Sequence, residues 1–150
     1  MSYVSDLRAV LGTSPLLLPG TSLLLTNGEG SLLLLERLDI AGWGLPGGLM
    51  EPGESFEETG RREAFEEIGV ELGPLELLGV FSGKEYYYRY DHGDEVYNVT
   101  AAYVGQVDPA CMRVNPEEIR SARFFSVTEL PSGIIAPEFP IVQSFTQRSA

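Results

Sequence analysis

Two apolar runs near the N-terminus, residues 21–26 and 31–38, flank the sequence Asn27-Gly28-Glu29-Gly30. Such a turn between two apolar runs predicts a β-hairpin. Both runs are continuously apolar instead of alternating with polar residues, and strands of that kind are buried on both faces of their sheet. We therefore expect helices on both sides of this sheet.

The rest of the chain predicts further strands and helices in a mixed order. Val4, Leu7, Val10 and Leu11 have helical spacing, so residues 3–11 predict a short helix, and Pro15 and Pro19 are expected to break the chain after it. Ser126 and Glu129 form the pattern of a capping box and predict another short helix. Strands are expected over residues 75–82, 85–90, 95–107 and 120–126, and a C-terminal helix is expected around Phe139, Ile141, Val142 and Phe145. The predicted fold class is α/β, with a mixed β-sheet between helical layers.

The composition restricts the partners of the chain. Its 150 residues are expected to form one domain over residues 1–150, and the net charge is −12. Residues 51–71 hold eight glutamates and two arginines, which supply half of that charge. This balance argues against non-specific binding of nucleic acid or of an anionic membrane, although metal ions could screen a phosphorylated substrate.

The single cysteine, Cys111, and the single histidine, His92, cannot form a Cys/His zinc site. Together with the absence of paired cysteines, this predicts a reducing, cytoplasmic location. No basic region precedes an apolar run at the N-terminus, so a signal peptide is not expected, and the leucine runs are too short to cross a membrane.

The stretch 47–70 begins as a glycine- and proline-rich loop and continues as a helix. Ser55 and Glu58 form a capping box that predicts the start of the helix, and Gly69 is placed to end it. Within the helix, Glu63, Glu66 and Glu67 lie on one face and repel one another. A divalent cation held by oxygen ligands would offset that repulsion, and the alternative is a solvated acidic face.

The same stretch carries a longer pattern. Gly48, five residues, Glu54, seven residues, Arg62-Glu63-Ala64, one residue, Glu66-Glu67, one residue and Gly69-Val70 follow one another, and Trp43-Gly44-Leu45-Pro46-Gly47-Gly48 precedes them. This pattern resembles the Nudix box and its lead-in. The resemblance implies an α/β/α sandwich and a MutT-like, Mg²⁺- or Mn²⁺-dependent hydrolase of nucleoside diphosphates linked to a further group.

The resemblance also assigns roles within the box. It implies that the carbonyl of Gly47 and the carboxylates of Glu63, Glu66 and Glu67 hold the metal ions. It gives Glu54 and Arg62 the role of holding those carboxylates in position. For Arg62, a surface ion pair with Glu58 or Glu66 is the alternative.

The general base stays open at this point. Glu66 is the candidate within the box, and Glu117 and Glu118 are candidates from a later loop, where a solvated helix start after Pro116 is the alternative. Glu85 and Glu95 are weaker candidates.

Residues outside the box should recognise the rest of the substrate. Tyr86, Tyr87 and Tyr88 lie where diadenosine polyphosphate hydrolases have a tyrosine that stacks on a base, and this resemblance makes Tyr86 and Tyr88 candidates. A strand would direct these two to one side and Tyr87 to the other, and ordinary packing within the sheet is the alternative. Trp43 could stack on a base or pack under the loop, and packing is favoured. Arg37 is a candidate for a phosphate contact, with Lys84 and Arg89 as alternatives. The marks of ADP-ribose and NADH hydrolases are absent.

Three further expectations concern the whole protein. The intact box favours an enzyme over a non-catalytic, nucleotide-binding Nudix regulatory module, which stays the alternative. The acidic balance argues against the 5′ end of RNA as the substrate. The N-terminal helix and the tyrosine hairpin favour a homodimer by analogy with the family.

Overall fold

A computed structural model describes residues 2–149, which contain three α-helices and eight β-strands. The helices are α1 (Tyr3–Leu11), α2 (Phe56–Ile68) and α3 (Phe139–Ser149). The strands are β1 (Leu16–Thr26), β2 (Leu32–Arg37), β3 (Trp43–Gly44), β4 (Gly47–Leu49), β5 (Glu76–Phe81), β6 (Tyr87–Arg89), β7 (Glu95–Gln106) and β8 (Ile119–Phe125).

The strands form one mixed sheet whose long strands are β1 and β7. These two pair in parallel over the whole of β1, from Leu16 opposite Val96 to Thr26 opposite Gln106. The path across the sheet is β3-β2-β1-β7-β5, while β4 pairs with β1, β6 with β7 and β8 with β2. All pairings other than β1 with β7 are antiparallel.

Helices cover both faces of the sheet. Leu23 and Leu25 of β1 belong to the core on the α2 side, where Ala64 and Ile68 meet them. Leu24 belongs to the opposite core, which α3 supplies with Ile141, Val142 and Phe145. The leucines at positions 23–25 and 32–35 are fully buried. This confirms the predicted sheet between helical layers, an α/β/α sandwich.

The ends of α2 agree with their sequence signals. The Ser55 side chain accepts a hydrogen bond from the Glu58 N–H, and the Glu58 side chain accepts one from the Ser55 N–H. Gly69 ends the helix in the left-handed conformation, at φ 68°. The predicted helix over residues 3–11 is also confirmed, as α1.

Two local predictions from the sequence are wrong, one about Pro19 and one about Ser126. Pro19 does not break the chain. It lies within β1 opposite Val99 of β7, and its carbonyl accepts a hydrogen bond from the Met50 N–H. Ser126 does not start a helix. Residues 127–129 form only a turn, closed by a hydrogen bond from the Glu129 N–H to the Ser126 carbonyl, and Pro131 follows too closely for helical continuation.

Helix α1 packs its apolar side against the end of the sheet. Val4 and Leu7 contact the cluster of Leu16, Leu18 and Val96. Arg8 fastens the helix to the β6–β7 turn, since its guanidinium donates to the Glu95 carbonyl over 2.6 Å and lies 3.4 Å from the Asp94 carboxylate. None of the helices in residues 2–149 has the length and apolar content needed to cross a membrane.

Candidate active site

A cavity of about 540 Å³ opens at the end of the sheet beside α2. One part of its lining comes from the loop and helix of the acidic stretch, namely Gly47, Gly48, Arg62, Glu63 and Glu66. Another part comes from distant segments and includes Arg37, Asp39, Tyr88, Tyr90 and Glu138. The fold thus brings the box residues together with Arg37 and Tyr88, two of the residues predicted to bind substrate.

Glu67 lies under this cavity and is fully buried. Its Oε1 accepts a hydrogen bond of 3.0 Å from the Gly47 N–H, and its Oε2 accepts one of 2.5 Å from Nη1 of Arg37. Burial raises the pKa of Glu67 to about 7, although Arg37 and the Gly47 N–H act in the opposite direction. Glu67 therefore joins the loop at Gly47 to the end of β2.

Arg62 connects the other glutamates of the box. Its guanidinium bonds the carboxylate of Glu54 through Nε and Nη2, over 2.6 and 3.0 Å, and Nη2 also donates to the Leu49 carbonyl. Nη1 lies 2.8 Å from Oε1 of Glu63 and 3.3 Å from Oε2 of Glu66. Arg62 is thus more than the surface ion pair that the sequence left open.

The Glu63 carboxylate rests against the backbone of Gly48. A Cβ atom at position 48 would lie 2.4 Å from its carboxyl carbon, so glycine is needed for this approach. Burial raises the pKa of Glu63, against the effect of Arg62. Glu66 is the most exposed of the three helix glutamates, with 44% of its side chain accessible.

Two arginines offset the repulsion that the sequence predicts among Glu63, Glu66 and Glu67. Arg37 forms an ion pair with Glu67, and Arg62 forms ion pairs with Glu63 and Glu66. Within residues 2–149, no three Asp, Glu, His or Cys side chains converge as ligands around one point. The residues still suit Mg²⁺ or Mn²⁺ chemically, because the carboxylates are hard oxygen donors and those of Glu63 and Glu67 lie against adjacent glycines of one loop.

The three consecutive tyrosines occupy different surroundings. Tyr88 lines the cavity and meets Tyr90 edge-on, with ring centroids 5.0 Å apart. Tyr86 lies instead in a 3₁₀ turn over Lys84–Tyr86 and is buried against Phe81. This turn replaces the start of the predicted strand, and Tyr86 does not line the cavity. The prediction that Tyr86 contacts the substrate does not fit its placement.

The remaining candidates lie outside the cavity. Trp43 packs edge-on against Phe125, 5.0 Å between ring centroids, as the packing alternative predicts. Glu117 and Glu118 are exposed and do not line the cavity, because they form a tight turn closed by Asn115. Glu85 is exposed, and Glu95 accepts a hydrogen bond from the Tyr87 hydroxyl. Among the proposed bases, only Glu66 lines the cavity.

Glu138 is a site residue that the sequence reasoning missed. It lies just before α3, lines the cavity and accepts a hydrogen bond of 3.0 Å from the Leu45 N–H. Burial raises its pKa to about 7, although the Leu45 N–H and Arg37 oppose the shift. A signal was present in the sequence, since Glu138 is the lone charged residue in the apolar run 134–142.

A mixed sheet between two helices, with a capped acidic helix and a Gly-Gly loop at one cavity, defines the class of protein. The family model of the NUDIX domain matches residues 16–145, and the chain belongs to the Nudix family. The sequence resemblance to this family is thereby confirmed.

Several curated proteins are similar over the region of the box. A protein of Bacillus subtilis (strain 168) named "Putative 8-oxo-dGTP diphosphatase" is 39% identical over 62 residues, which cover 41% of this chain and 42% of that protein. The RNA pyrophosphohydrolase of Pseudomonas putida (strain GB-1) is 34% identical over 65 residues, which cover 43% and 41%. The chain thus spans less than half the length of these curated relatives.

Solved structures share the fold over nearly the whole chain. A MutT NUDIX hydrolase from Burkholderia pseudomallei matches with a TM-score of 0.71 and 23% identity, covering 86% of this chain and 98% of that one. The NUDIX domain of Shewanella oneidensis NrtR, solved in complex with ADP ribose, matches with a TM-score of 0.69 and 18% identity over the full length of both chains. At these identities the likeness concerns the fold.

Proposed function

We propose that the chain hydrolyses the diphosphate bond of a nucleoside diphosphate linked to a further group, with Mg²⁺ or Mn²⁺ as cofactor. The candidate substrates are nucleoside triphosphates, including oxidised ones, dinucleoside polyphosphates, ADP-ribose and nucleotide sugars. Membership of the Nudix family and the names of the curated relatives support this class of reaction.

The observation that carries the proposal is the composition of the cavity beside α2. Its box side offers carboxylates on Glu63 and Glu66 beside the Gly47–Gly48 loop, and its other side offers a guanidinium on Arg37 and an aromatic ring on Tyr88. A nucleotide has two corresponding parts, an anionic diphosphate at one end and a flat base at the other. The acidic side needs a cation before it can accept phosphate, which accounts for the proposed metal dependence.

Each residue then has a defined task. Glu63, Glu66 and Glu67 would hold the metal, together with the carbonyl of Gly47. The bound metal would neutralise diphosphate oxygens and lower the pKa of the attacking water. Glu66 is the residue that we propose as general base, because it is the most exposed of the helix glutamates and faces the cavity.

Arg62 and Glu54 would keep the box carboxylates in position from behind. On the substrate side, Arg37 would bind a phosphate and Tyr88 would stack on a base. Glu138 would accept a hydrogen bond from a donor on the substrate, since its carboxylate lines the cavity and, among residues 2–149, a donor is found for Oε1 alone.

A hydrolysis screen over these substrate classes, with 5′-triphosphorylated RNA added because of the RNA pyrophosphohydrolase relatives, tests the proposal. We expect turnover of at least one substrate with Mg²⁺ or Mn²⁺ and none in EDTA. Glu66→Gln should lose at least about 100-fold in kcat. Glu57→Gln is the matched control, because Glu57 lies on the same helix but does not line the cavity.

Equal turnover in EDTA, or equal losses in both variants, would contradict the metal mechanism. Tight binding of a nucleotide with no turnover of any substrate would instead support the alternative, a non-catalytic nucleotide-binding regulatory module. ADP-ribose is a suitable first ligand for that arm of the test.

Three wider expectations stay part of the proposal. Residues 1–150 are proposed to act as one domain, and the location is proposed to be cytoplasmic on the basis of composition. A homodimer is proposed from the exposed apolar residues Val10, Leu17 and Tyr97 near α1 and the tyrosine hairpin. Sedimentation equilibrium would measure the oligomeric state directly.

A further inference from the structure

Arg37 reaches Glu67 because of where β2 ends. Leu33 and Leu35 point to the α2 side of the sheet, and the period of a strand places Arg37 on that side too. A bulge between Glu36 and Arg37 shifts the pairing of β2 with β8 at this point. The extra residue of this bulge is Arg120 on β8, so the alternation of β2 continues to Arg37. The Arg37 guanidinium lines the cavity and bonds Oε2 of Glu67.

The Glu67 carboxylate depends on Arg37 for its charge balance. Its side chain is 0% exposed, and the Gly47 N–H is its other hydrogen-bond partner. A buried carboxylate without a cation is costly, so removing one partner of such a pair is strongly destabilising. Arg37 therefore supplies the positive charge that balances this carboxylate.

The two arginines of the site differ in how firmly they are held. Arg62 has a two-bond contact with Glu54 and a further bond to the Leu49 carbonyl, in addition to Glu63 and Glu66. Within residues 2–149, the one ion pair of Arg37 apart from that with Glu67 is a 3.4 Å contact with Asp39, whose side chain is 67% exposed. Exposed pairs of that kind contribute little, so Arg37 is the arginine that can leave its carboxylate.

We infer that Arg37 is a stand-in cation for Glu67 in the free protein and competes with the metal ion for this carboxylate. When Glu67 turns to the metal, the guanidinium is released toward the cavity, where it can bind a substrate phosphate. The inference rests on the proposed metal-dependent function and adds a mechanism to it. Its consequence is that metal and phosphate each favour binding of the other.

The opposite role would be positioning, in which Arg37 orients Glu67 as a ligand. Competition and positioning predict opposite signs when Arg37 is removed. Loss of a competitor strengthens metal binding, whereas loss of a positioning partner weakens it. Mn²⁺ binding to the protein without substrate can be measured from the electron paramagnetic resonance signal of free Mn²⁺, and this readout does not depend on activity.

We expect Arg37→Gln to bind Mn²⁺ roughly tenfold more tightly than the wild type, which corresponds to about 1.4 kcal/mol of competition. Arg61→Gln is the charge-matched control, because Arg61 lies on the same helix as the box and contacts Glu57 and the Leu72 carbonyl instead of Glu67. An equal increase in Mn²⁺ affinity in Arg61→Gln would mean that the loss of one positive charge anywhere near the site is responsible, and it would overturn the inference. Equal or weaker Mn²⁺ binding by Arg37→Gln would overturn it as well.

A direct measurement covers the case in which Arg37→Gln does not fold without metal. The measurement is the NMR signal of the Arg37 Nε–H group in the wild type. It is assigned by its absence in Arg37→Lys, and Mg²⁺ is then added. Competition predicts that this signal shifts as the guanidinium leaves Glu67, and an unchanged signal contradicts it. If no variant binds Mn²⁺ or Mg²⁺ at all, the proposed metal dependence itself fails, which is a different result from metal binding that is insensitive to Arg37.

Discussion

Arg62 donates two hydrogen bonds to the carboxylate of Glu54, of 2.6 Å from Nε and 3.0 Å from Nη2. The Glu51 N–H and the Thr59 hydroxyl also donate to this carboxylate. The pair joins the loop before α2 to the middle of that helix, and it leaves Nη1 of Arg62 free for Glu63 and Glu66. Glu54 therefore affects the cavity through Arg62 without lining it.

This pair predicts a pH-dependent loss of stability in Glu54→Gln. The hydrogen bonds from Arg62 lower the pKa of Glu54 from 4.5 to about 2. The stability that the ionised carboxylate contributes is thus complete above pH 4.5 and disappears as the pH falls toward 2. At pH 7 the variant should unfold with a free energy lower by about 1–3 kcal/mol, and urea titrations should show this difference shrinking below pH 4.5. A difference that stays constant down to pH 3 would contradict the assignment.

Gly48→Ala should damage catalysis more than folding. The added Cβ would lie 2.4 Å from the Glu63 carboxyl carbon, so this carboxylate must move away from the loop. We expect kcat to fall by roughly 10–100-fold, because small misplacements of catalytic groups have effects of this size. Gly28→Ala is the control, since no atom lies within 4 Å of a Cβ there. Full activity of Gly48→Ala would show that the position of Glu63 is not critical.

The tyrosines should separate into a binding residue and a core residue. Tyr88→Ala should raise KM by roughly tenfold with little change in melting temperature, in line with a stacking contribution of about 1–3 kcal/mol. Tyr86→Ala should instead lower the free energy of unfolding by about 3 kcal/mol, because its ring is buried against Phe81. Tyr87→Phe should leave KM unchanged. If Tyr88→Ala leaves KM unchanged, Tyr88 belongs to packing alone.

Glu138→Gln should stabilise the protein at neutral and alkaline pH. Burial raises the pKa of Glu138 to about 7, so the folded protein is favoured by this group below pH 4.5 and loses that contribution as the pH rises to 7. The glutamine keeps an oxygen for the Leu45 N–H and carries no charge. We expect a gain on the order of 1–3 kcal/mol at pH 8 and none at pH 4, since each pKa unit corresponds to about 1.4 kcal/mol. Equal stability at pH 8 would mean that Glu138 is well solvated.

Local signals were sufficient for the layers of the fold and for the helix of the box. Ser55 and Gly69 fix the ends of α2 by short-range hydrogen bonding and backbone geometry, and both signals lie within the stretch itself. The unbroken leucine runs predict burial on both faces, because a wet face would need polar residues at alternate positions.

The other half of the site depends on contacts between distant segments. Arg37 meets Glu67 across 30 residues of sequence, and Glu138 reaches Leu45 from 93 residues further along the chain. Tyr86 is buried against Phe81 at the end of a 3₁₀ turn that replaces the start of the predicted strand. None of these outcomes follows from spacing in the neighbouring sequence.

The parallel pairing of β1 with β7 has a consequence for synthesis of the chain. Every residue of β1 has its partner about 80 residues later, between Val96 and Gln106. While the ribosome makes the intervening segments, β1 can pair only with β2 at one end and with β4, and its apolar residues wait for β7. Because contacts of such long range form slowly, the nascent chain exposes a leucine-rich strand until most of its length has been made. Chains truncated before residue 95 should therefore aggregate or require a chaperone.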